Sequence, residues 1–96
     1  MRSEYDVILR PLITEKASIA RDESNAYLFE VLMDATKAEI RRAVEKAFEV
    51  EVDSVRTMIM PKKIKISRGR KGRRSPWKKA VVTLRDGFTI DIMEGV

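Results

Sequence analysis

The chain has 96 residues, 44% of them hydrophobic and 36% charged, and its formal net charge is +5. This length and apolar content fit a single domain, residues 1–96, with one modest core. Because the chain contains no Cys and no His, disulfides, thiolate nucleophiles, Cys/His metal sites and histidine bases are excluded, and we expect no enzyme, cofactor or metal. The sequence has no apolar run of about 18 residues and no signal-peptide pattern, which predicts a cytoplasmic protein without membrane insertion.

The first third of the chain predicts two strands and a short helix between them. Residues Asp6–Leu9 form a short extended piece that fits an edge strand. A helix of about two turns is predicted over Thr14–Ala20, with Thr14 as its N-cap. Alternation and β-branched or aromatic residues predict a strand over Ala26–Met33. The apolar side chains on one face of this strand are Tyr27, Phe29 and Val31.

A longer helix is predicted to begin after Thr36. Thr36 and Glu39 have the spacing of a capping box, in which each side chain accepts a hydrogen bond from the backbone N–H of the other residue. Apolar residues then recur at helical spacing, which predicts one buried face. The members of this stripe are Ile40, Ala43, Val44, Ala47 and Phe48.

The second half predicts further strands over Ser54–Met60, Lys79–Arg85 and, after a turn at Asp86-Gly87, Phe88–Ile92. The strand over Lys79–Arg85 is nearly all apolar, which favours a central position covered on both faces. The order strand, helix, strand suggests two parallel strands joined by a crossover, with Lys79–Arg85 antiparallel between them. The predicted fold class is α+β, a small antiparallel-rich mixed sheet of the split β-α-β, ferredoxin-like type, with helices packed on it and a long basic hairpin extension.

Half of the basic residues lie in one segment. Residues 61–80 contain 10 of the 20 Lys and Arg and none of the 15 Asp and Glu, so this segment carries +10 and the rest of the chain −5. Within it, residues 61–78 are predicted to form an extended loop between two strands, here called the basic arm. Loops of this length are usually functional or disordered, and a bound polyanion would relieve the repulsion between the charges.

The basic arm is interpreted as a nucleic-acid interface. The planar guanidinium of Arg can make two parallel hydrogen bonds to a phosphate, and the ammonium of Lys is a compact positive charge on a flexible side chain. Trp77, the only tryptophan, can stack on an unpaired base or anchor the base of the hairpin, and both roles stay open. A solvated loop, a DNA-binding architectural arm and a binder of anionic membrane surfaces are the alternatives. The predicted RNA-binding residues are Lys62, Lys63, Lys65, Arg68, Arg70, Lys71, Arg73, Arg74, Trp77, Lys78 and Lys79.

Four sequence blocks span most of the chain in a characteristic order. They are PLITEKA at Pro11–Ala17, DATKAEI at Asp34–Ile40, FEVEV at Phe48–Val52 and GRRSPWKKA at Gly72–Ala80. These blocks closely resemble the family of bacterial ribosomal protein twenty-three of the large subunit. The resemblance implies a structural protein that binds large-subunit ribosomal RNA early in assembly and lies at the exit of the polypeptide tunnel.

The resemblance also implies protein partners. These are the chaperone trigger factor, the signal recognition particle and ribosomal protein twenty-nine of the large subunit. The family's docking glutamate for trigger factor lies in a Ser/Thr-Glu-Lys motif, which corresponds to Glu15 here. Judged from the residues alone, Glu15 is a carboxylate in the first turn of a helix, favoured by the helix dipole by about 0.3–1 kcal/mol. The two roles are compatible.

Overall fold

The computed structural model describes residues 6–61 and 76–91. In chain order its elements are β1 (Ile8–Pro11), α1 (Glu15–Ser24), β2 (Ala26–Val31), α2 (Lys37–Phe48), β3 (Val52–Met60) and β4 (Trp77–Leu84). The four strands form one sheet in the order β1-β2-β4-β3, and the two helices pack against it. The predicted α+β class is therefore confirmed.

The sheet has the topology that the order of the elements predicts. Strand β4 lies between β2 and β3 and is antiparallel to both. Strands β2 and β3 are consequently parallel to each other, and α2 connects them across the sheet. This arrangement confirms the split β-α-β, and it makes β3 an edge strand.

Helix α2 begins as its capping box predicts. The Glu39 backbone N–H donates to Thr36 Oγ1 at 3.1 Å, and the Thr36 N–H donates to Glu39 Oε1 at 2.9 Å. These bonds satisfy N–H groups that have no partner within the helix. The helix ends at Phe48, because Glu49 adopts the left-handed conformation with φ 54°.

The predicted buried stripe of α2 is correct over its first two turns and wrong at its end. Ile40, Ala43 and Val44 are buried, whereas Ala47 is exposed and Phe48 keeps 37% of its surface accessible. The chain turns at Glu49 and returns the apolar residues Val50 and Val52 to the core. These two valines occupy core positions, and the partly accessible ring of Phe48 contacts the ring of Phe29, with the centroids 5.8 Å apart.

One hydrophobic core lies between α2 and one face of the sheet. The predicted face of β2 belongs to this core, since Tyr27, Phe29 and Val31 are all buried. Ala80 and Val82 of β4 pair with Phe29 and Tyr27 and are also buried. The largest fully buried side chains are Phe29, Ile40, Val31, Val44, Val52 and Val82.

Helix α1 is longer than predicted and contacts β2. Its N-cap is Thr14, as predicted, whose Oγ1 accepts from the Ala17 N–H at 3.1 Å. The helix continues to Ser24 and ends at Asn25, whose left-handed φ of 52° places its N–H on the Ala20 and Arg21 carbonyls. Polar side chains fill this last turn, so the sequence shows no apolar signal for it. No residue of α1 is fully buried.

The predicted strand boundaries differ from the observed ones by one or two residues. Strand β2 ends at Val31 rather than Met33, β3 begins at Val52 rather than Ser54, and β4 covers Trp77–Leu84 rather than Lys79–Arg85. Strand β4 is central, but its coverage is one-sided, because buried Ala80, Val82 and Leu84 alternate with half-buried residues.

The predicted strand over Phe88–Ile92 is wrong for residues 88–91, and Ile92 lies outside the described residues. The turn at Asp86-Gly87 is present, with Gly87 at φ 91°. Beyond the turn, the Ile90 N–H donates to Tyr27 Oη at 3.1 Å. The Phe88 carbonyl accepts from Asn25 Nδ2 at 2.9 Å. These backbone groups bind side chains, so this segment covers the core instead of pairing as a strand.

Candidate nucleic-acid interface

The basic arm connects two strands that pair with each other. Strands β3 and β4 are antiparallel, and their last pair before the connection is Met60 with Trp77. Residues 77 and 78 of the predicted loop therefore belong to β4, and from here on the basic arm means residues 61–76. The predicted RNA-binding residues Lys62, Lys63, Lys65, Arg68, Arg70, Lys71, Arg73 and Arg74 lie outside the described residues, whereas Trp77, Lys78 and Lys79 lie within them.

The Lys78 side chain is hydrogen-bonded to the loop that precedes α2. Its Nζ donates to the Ala35 carbonyl at 2.7 Å and approaches the Met33 carbonyl at 3.4 Å. Lys78 pairs with Val31 of β2 and Ile59 of β3, and its side chain is half-buried. These contacts attach the root of the basic arm to the loop before α2.

Lys79 points to the opposite face of the sheet, because successive side chains of a strand alternate. It lies directly across from Met58 of β3 and Glu30 of β2. Trp77 is on the same face as Lys79, two residues nearer to the arm. Lys78 and Lys79 are adjacent in the sequence and both are predicted to bind RNA, but their side chains lie on opposite faces of the sheet.

A continuous patch surrounds Trp77 and Lys79. Paired residues on neighbouring strands share a face, and the pairs Met60 with Trp77, Met58 with Lys79 and Arg56 with Val81 give the patch its members. All are half-buried except Arg56, which is exposed. We call this patch the outer face; it comprises Arg56, Met58, Met60, Trp77, Lys79 and Val81.

The sequence interpretation did not place the β3 residues of the outer face in a site. Alternation along β3 puts Arg56, Met58 and Met60 on one side, and this signal is present in the sequence. The register against β4 is what brings them beside Trp77 and Lys79.

Glu15 belongs to a different part of the molecule. It is the first residue of α1, which contacts β2, and its side chain is exposed. Two exposed apolar residues lie close to it in sequence, Ile13 at 46% and Ile19 at 47% accessibility. Ile19 follows Glu15 by four positions, so both lie on one side of the helix. The Thr14 side chain caps the helix, and the Glu15 carboxylate stays available to a partner.

The end of the sheet away from the arm has mixed charge. A shallow groove there is lined by Asp22, Asp53, Asp86, Arg21 and Arg85, among others. Within residues 6–61 and 76–91, no three acidic side chains converge on a position that could hold a metal ion. The described helices are too short and too polar to cross a membrane.

The sequence of this chain is similar to those of known proteins. The family model described as Ribosomal protein L23 matches residues 6–92. The large ribosomal subunit protein uL23 of Shewanella denitrificans is 55% identical over 89 residues, covering 93% of this chain and 89% of the relative. The uL23 protein of Shewanella oneidensis is 54% identical with the same coverage.

Fold and similarity together define the class of protein. It is a structural, non-enzymatic protein of the large ribosomal subunit, and it is cytoplasmic as part of the ribosome. More specifically, the chain belongs to the ribosomal protein L23 family. The predicted family and the predicted absence of enzymatic activity are thereby confirmed.

The different environments of Lys78 and Lys79 lead to a prediction. We expect Lys78→Ala to lower the free energy of unfolding by about 1–2 kcal/mol, because it removes hydrogen bonds to two backbone carbonyls. Lys79→Ala should change the free energy of unfolding by no more than about 0.5 kcal/mol. Urea unfolding followed by circular dichroism measures the stability of both variants. Equal stability of the two variants would contradict the anchoring role of Lys78.

Proposed function

We propose that this chain binds large-subunit ribosomal RNA and that the basic arm provides most of the binding free energy. The observation that carries the proposal is the position of the charge. The pairing of β3 with β4 ends at Met60 and Trp77, and residues 62–75 between them contain eight Lys and Arg and no Asp or Glu. Phosphates that contact such a segment release their counterions, which favours association. Binding to ribosomal RNA fragments over a salt series tests the proposal.

Family membership supports a more specific location. We propose that the protein assembles early and lies at the exit of the polypeptide tunnel, beside ribosomal protein twenty-nine and near the contact of the signal recognition particle. A folded body whose basic charge is concentrated in one connection between two strands fits this role, since the basic segment can contact RNA while the body stays at the surface of the subunit. Crosslinking from the exposed Ile59 of β3 in intact ribosomes would identify the neighbours.

We propose further that Glu15 forms part of the docking site for trigger factor. Its carboxylate is exposed at the start of α1, with Ile13 and Ile19 exposed beside it in sequence. A carboxylate with apolar neighbours suits a partner that presents a basic side chain surrounded by apolar ones, because the apolar contacts exclude water from the charge pair.

Glu15→Ala is expected to weaken trigger factor binding to ribosomes by about tenfold to a hundredfold, which is the usual effect of losing one hydrogen bond to a charged group. Glu23→Ala is the matched control, because Glu23 is an exposed glutamate at the other end of the same helix. Sedimentation of trigger factor with ribosomes that carry each variant measures the effect, and RNA binding should stay unchanged. Equal recruitment by the Glu15 variant and wild type would contradict the docking role.

A further inference from the structure

We propose that the outer face is a second RNA-contact surface, on the folded body itself, and that it takes single-stranded nucleotides with one base stacked on the indole of Trp77. This inference rests on the proposed RNA binding and deepens it by naming the form of RNA bound and the residues that bind it. The residues that support it all lie in the described strands β1, β2, β3 and β4.

The first observation is that the outer face is an apolar surface outside the core. Met58, Met60, Trp77 and Val81 are half-buried, and they lie on the side of the sheet opposite to the buried Ala80 and Val82. Two methionines and the only tryptophan of the chain lie together on this face of the sheet, each with part of its surface accessible, and such an apolar patch offers a contact surface. The indole supplies a wide plane, and the thioethers adapt to the shape of a partner.

The second observation is the charge of this surface. Arg56 and Lys79 are its two charged members, and both are basic. The carboxylate across from Lys79 is Glu30, which pairs with Arg10 Nε at 2.7 Å. Because Arg10 neutralises Glu30, the outer face presents positive charge beside its apolar side chains, which complements phosphates and disfavours a basic protein.

The third observation is geometric. The outer face runs along β3, which is the edge strand of the described sheet, and it ends at Met60 and Trp77, where the basic arm begins. A strand of RNA can therefore pass from the outer face to the arm without crossing another described strand. An aromatic ring on a protein surface can stack only on a base that is free of its neighbours, so the accessible part of the Trp77 ring favours unpaired nucleotides over a duplex.

Trp77 provides the test, because it is the only tryptophan of the chain and lies on the outer face, so tryptophan fluorescence reports on the surroundings of this residue. The full chain is titrated with an oligouridine of about 12 nucleotides, with a duplex of equal length and with large-subunit ribosomal RNA fragments. Affinity is measured separately by the anisotropy of labelled RNA. We expect single-stranded RNA and the ribosomal fragments to quench Trp77 emission and the duplex to bind without this quenching.

Variants separate stacking from general electrostatics. Trp77→Ala should weaken single-strand binding by about 5-fold to 150-fold, as for the loss of one stacked base, and Trp77→Phe should retain most of the affinity. Arg56→Ala should weaken binding, whereas Arg42→Ala should not, since Arg42 is an exposed arginine on α2 outside the outer face. Circular dichroism confirms folding, and if Trp77→Ala does not fold, the wild-type quenching and the arginine pair decide the result.

The outcomes distinguish the inference from the proposed function. RNA binding that leaves Trp77 emission unchanged and is equally strong in the Arg56 and Arg42 variants overturns the inference while RNA binding stands. Emission that responds to a purified neighbouring ribosomal protein and not to RNA also overturns it, and identifies a protein interface. Absence of any RNA binding by the wild-type chain rejects the proposed function and the inference together.

Discussion

Shortening residues 62–74 to a tight turn is expected to remove most of the salt-dependent affinity for large-subunit ribosomal RNA. This change deletes eight Lys and Arg and no acidic residue. If about 6–10 phosphates are contacted, wild-type affinity should fall about 10³–10⁵-fold between 50 and 200 mM salt. Without these eight charges, the slope of log affinity against log salt should flatten by about six to seven. Anisotropy of labelled ribosomal RNA fragments over the salt series measures both quantities.

A second variant separates charge from length. Replacing the same eight basic residues by Gln keeps the length of the connection and removes its charge, and we expect it to behave like the shortened chain. If the shortened chain binds as tightly as wild type, the folded body recognises RNA and the arm serves mainly to reach into the subunit. Stronger binding to duplex DNA than to ribosomal RNA at matched salt would favour the DNA-binding alternative. Firm binding to anionic liposomes at physiological salt would favour the membrane alternative.

Phe29→Ala is expected to lower the free energy of unfolding by about 3–5 kcal/mol, the usual cost of removing a buried ring and leaving a cavity. Phe29 is 0% accessible and lies in the core beneath α2. Small domains have about 5–15 kcal/mol of stability in total, so this single change should bring the protein close to unfolding at 37 °C. Urea unfolding followed by circular dichroism measures the loss.

Phe48→Ala is the matched comparison, because the two rings contact each other. Phe48 keeps 37% of its surface accessible, so we expect a smaller cost, about 1–2 kcal/mol. A cost for Phe48 as large as that for Phe29 would mean that the helix end is buried more deeply than observed. The double variant should cost less than the sum of the two, since each single change already removes the ring contact.

Much of the fold could be predicted because its signals are local. The capping box at Thr36 and Glu39 involves residues three positions apart, and both of its hydrogen bonds are formed. The alternation of β2 places Tyr27, Phe29 and Val31 in the core. The predicted helix α1 is too short. Its last turn contains only polar residues, so no apolar periodicity marks it, and its end is set by Asn25 in the left-handed conformation.

The candidate interface was predicted less completely. Charge segregation pointed to the basic arm, and alternation distinguished the two faces of β3. The sequence gives no register, however, and the register is what assembles Arg56, Met58 and Met60 beside Trp77 and Lys79. Glu15 was assigned through its motif, and the structure adds that its side chain is exposed.

Composition and local pattern were sufficient for several conclusions. They predict the α+β class and the start of α2, exclude cysteine and histidine chemistry, and locate the basic arm between two strands. These properties depend on residues that are neighbours in the chain, whose preferences act before any tertiary contact forms.

Tertiary contacts were needed for the rest. Lys78 binds a carbonyl 43 residues away, while Lys79 beside it faces the other side of the sheet. Ile90 binds Tyr27 across 63 residues, so its segment does not pair as a strand. The exposure of Phe48 depends on where Val50 and Val52 enter the core. Each of these outcomes depends on groups from other parts of the chain, which provide the partner or leave the space that a residue can occupy, and a local pattern carries no information about them.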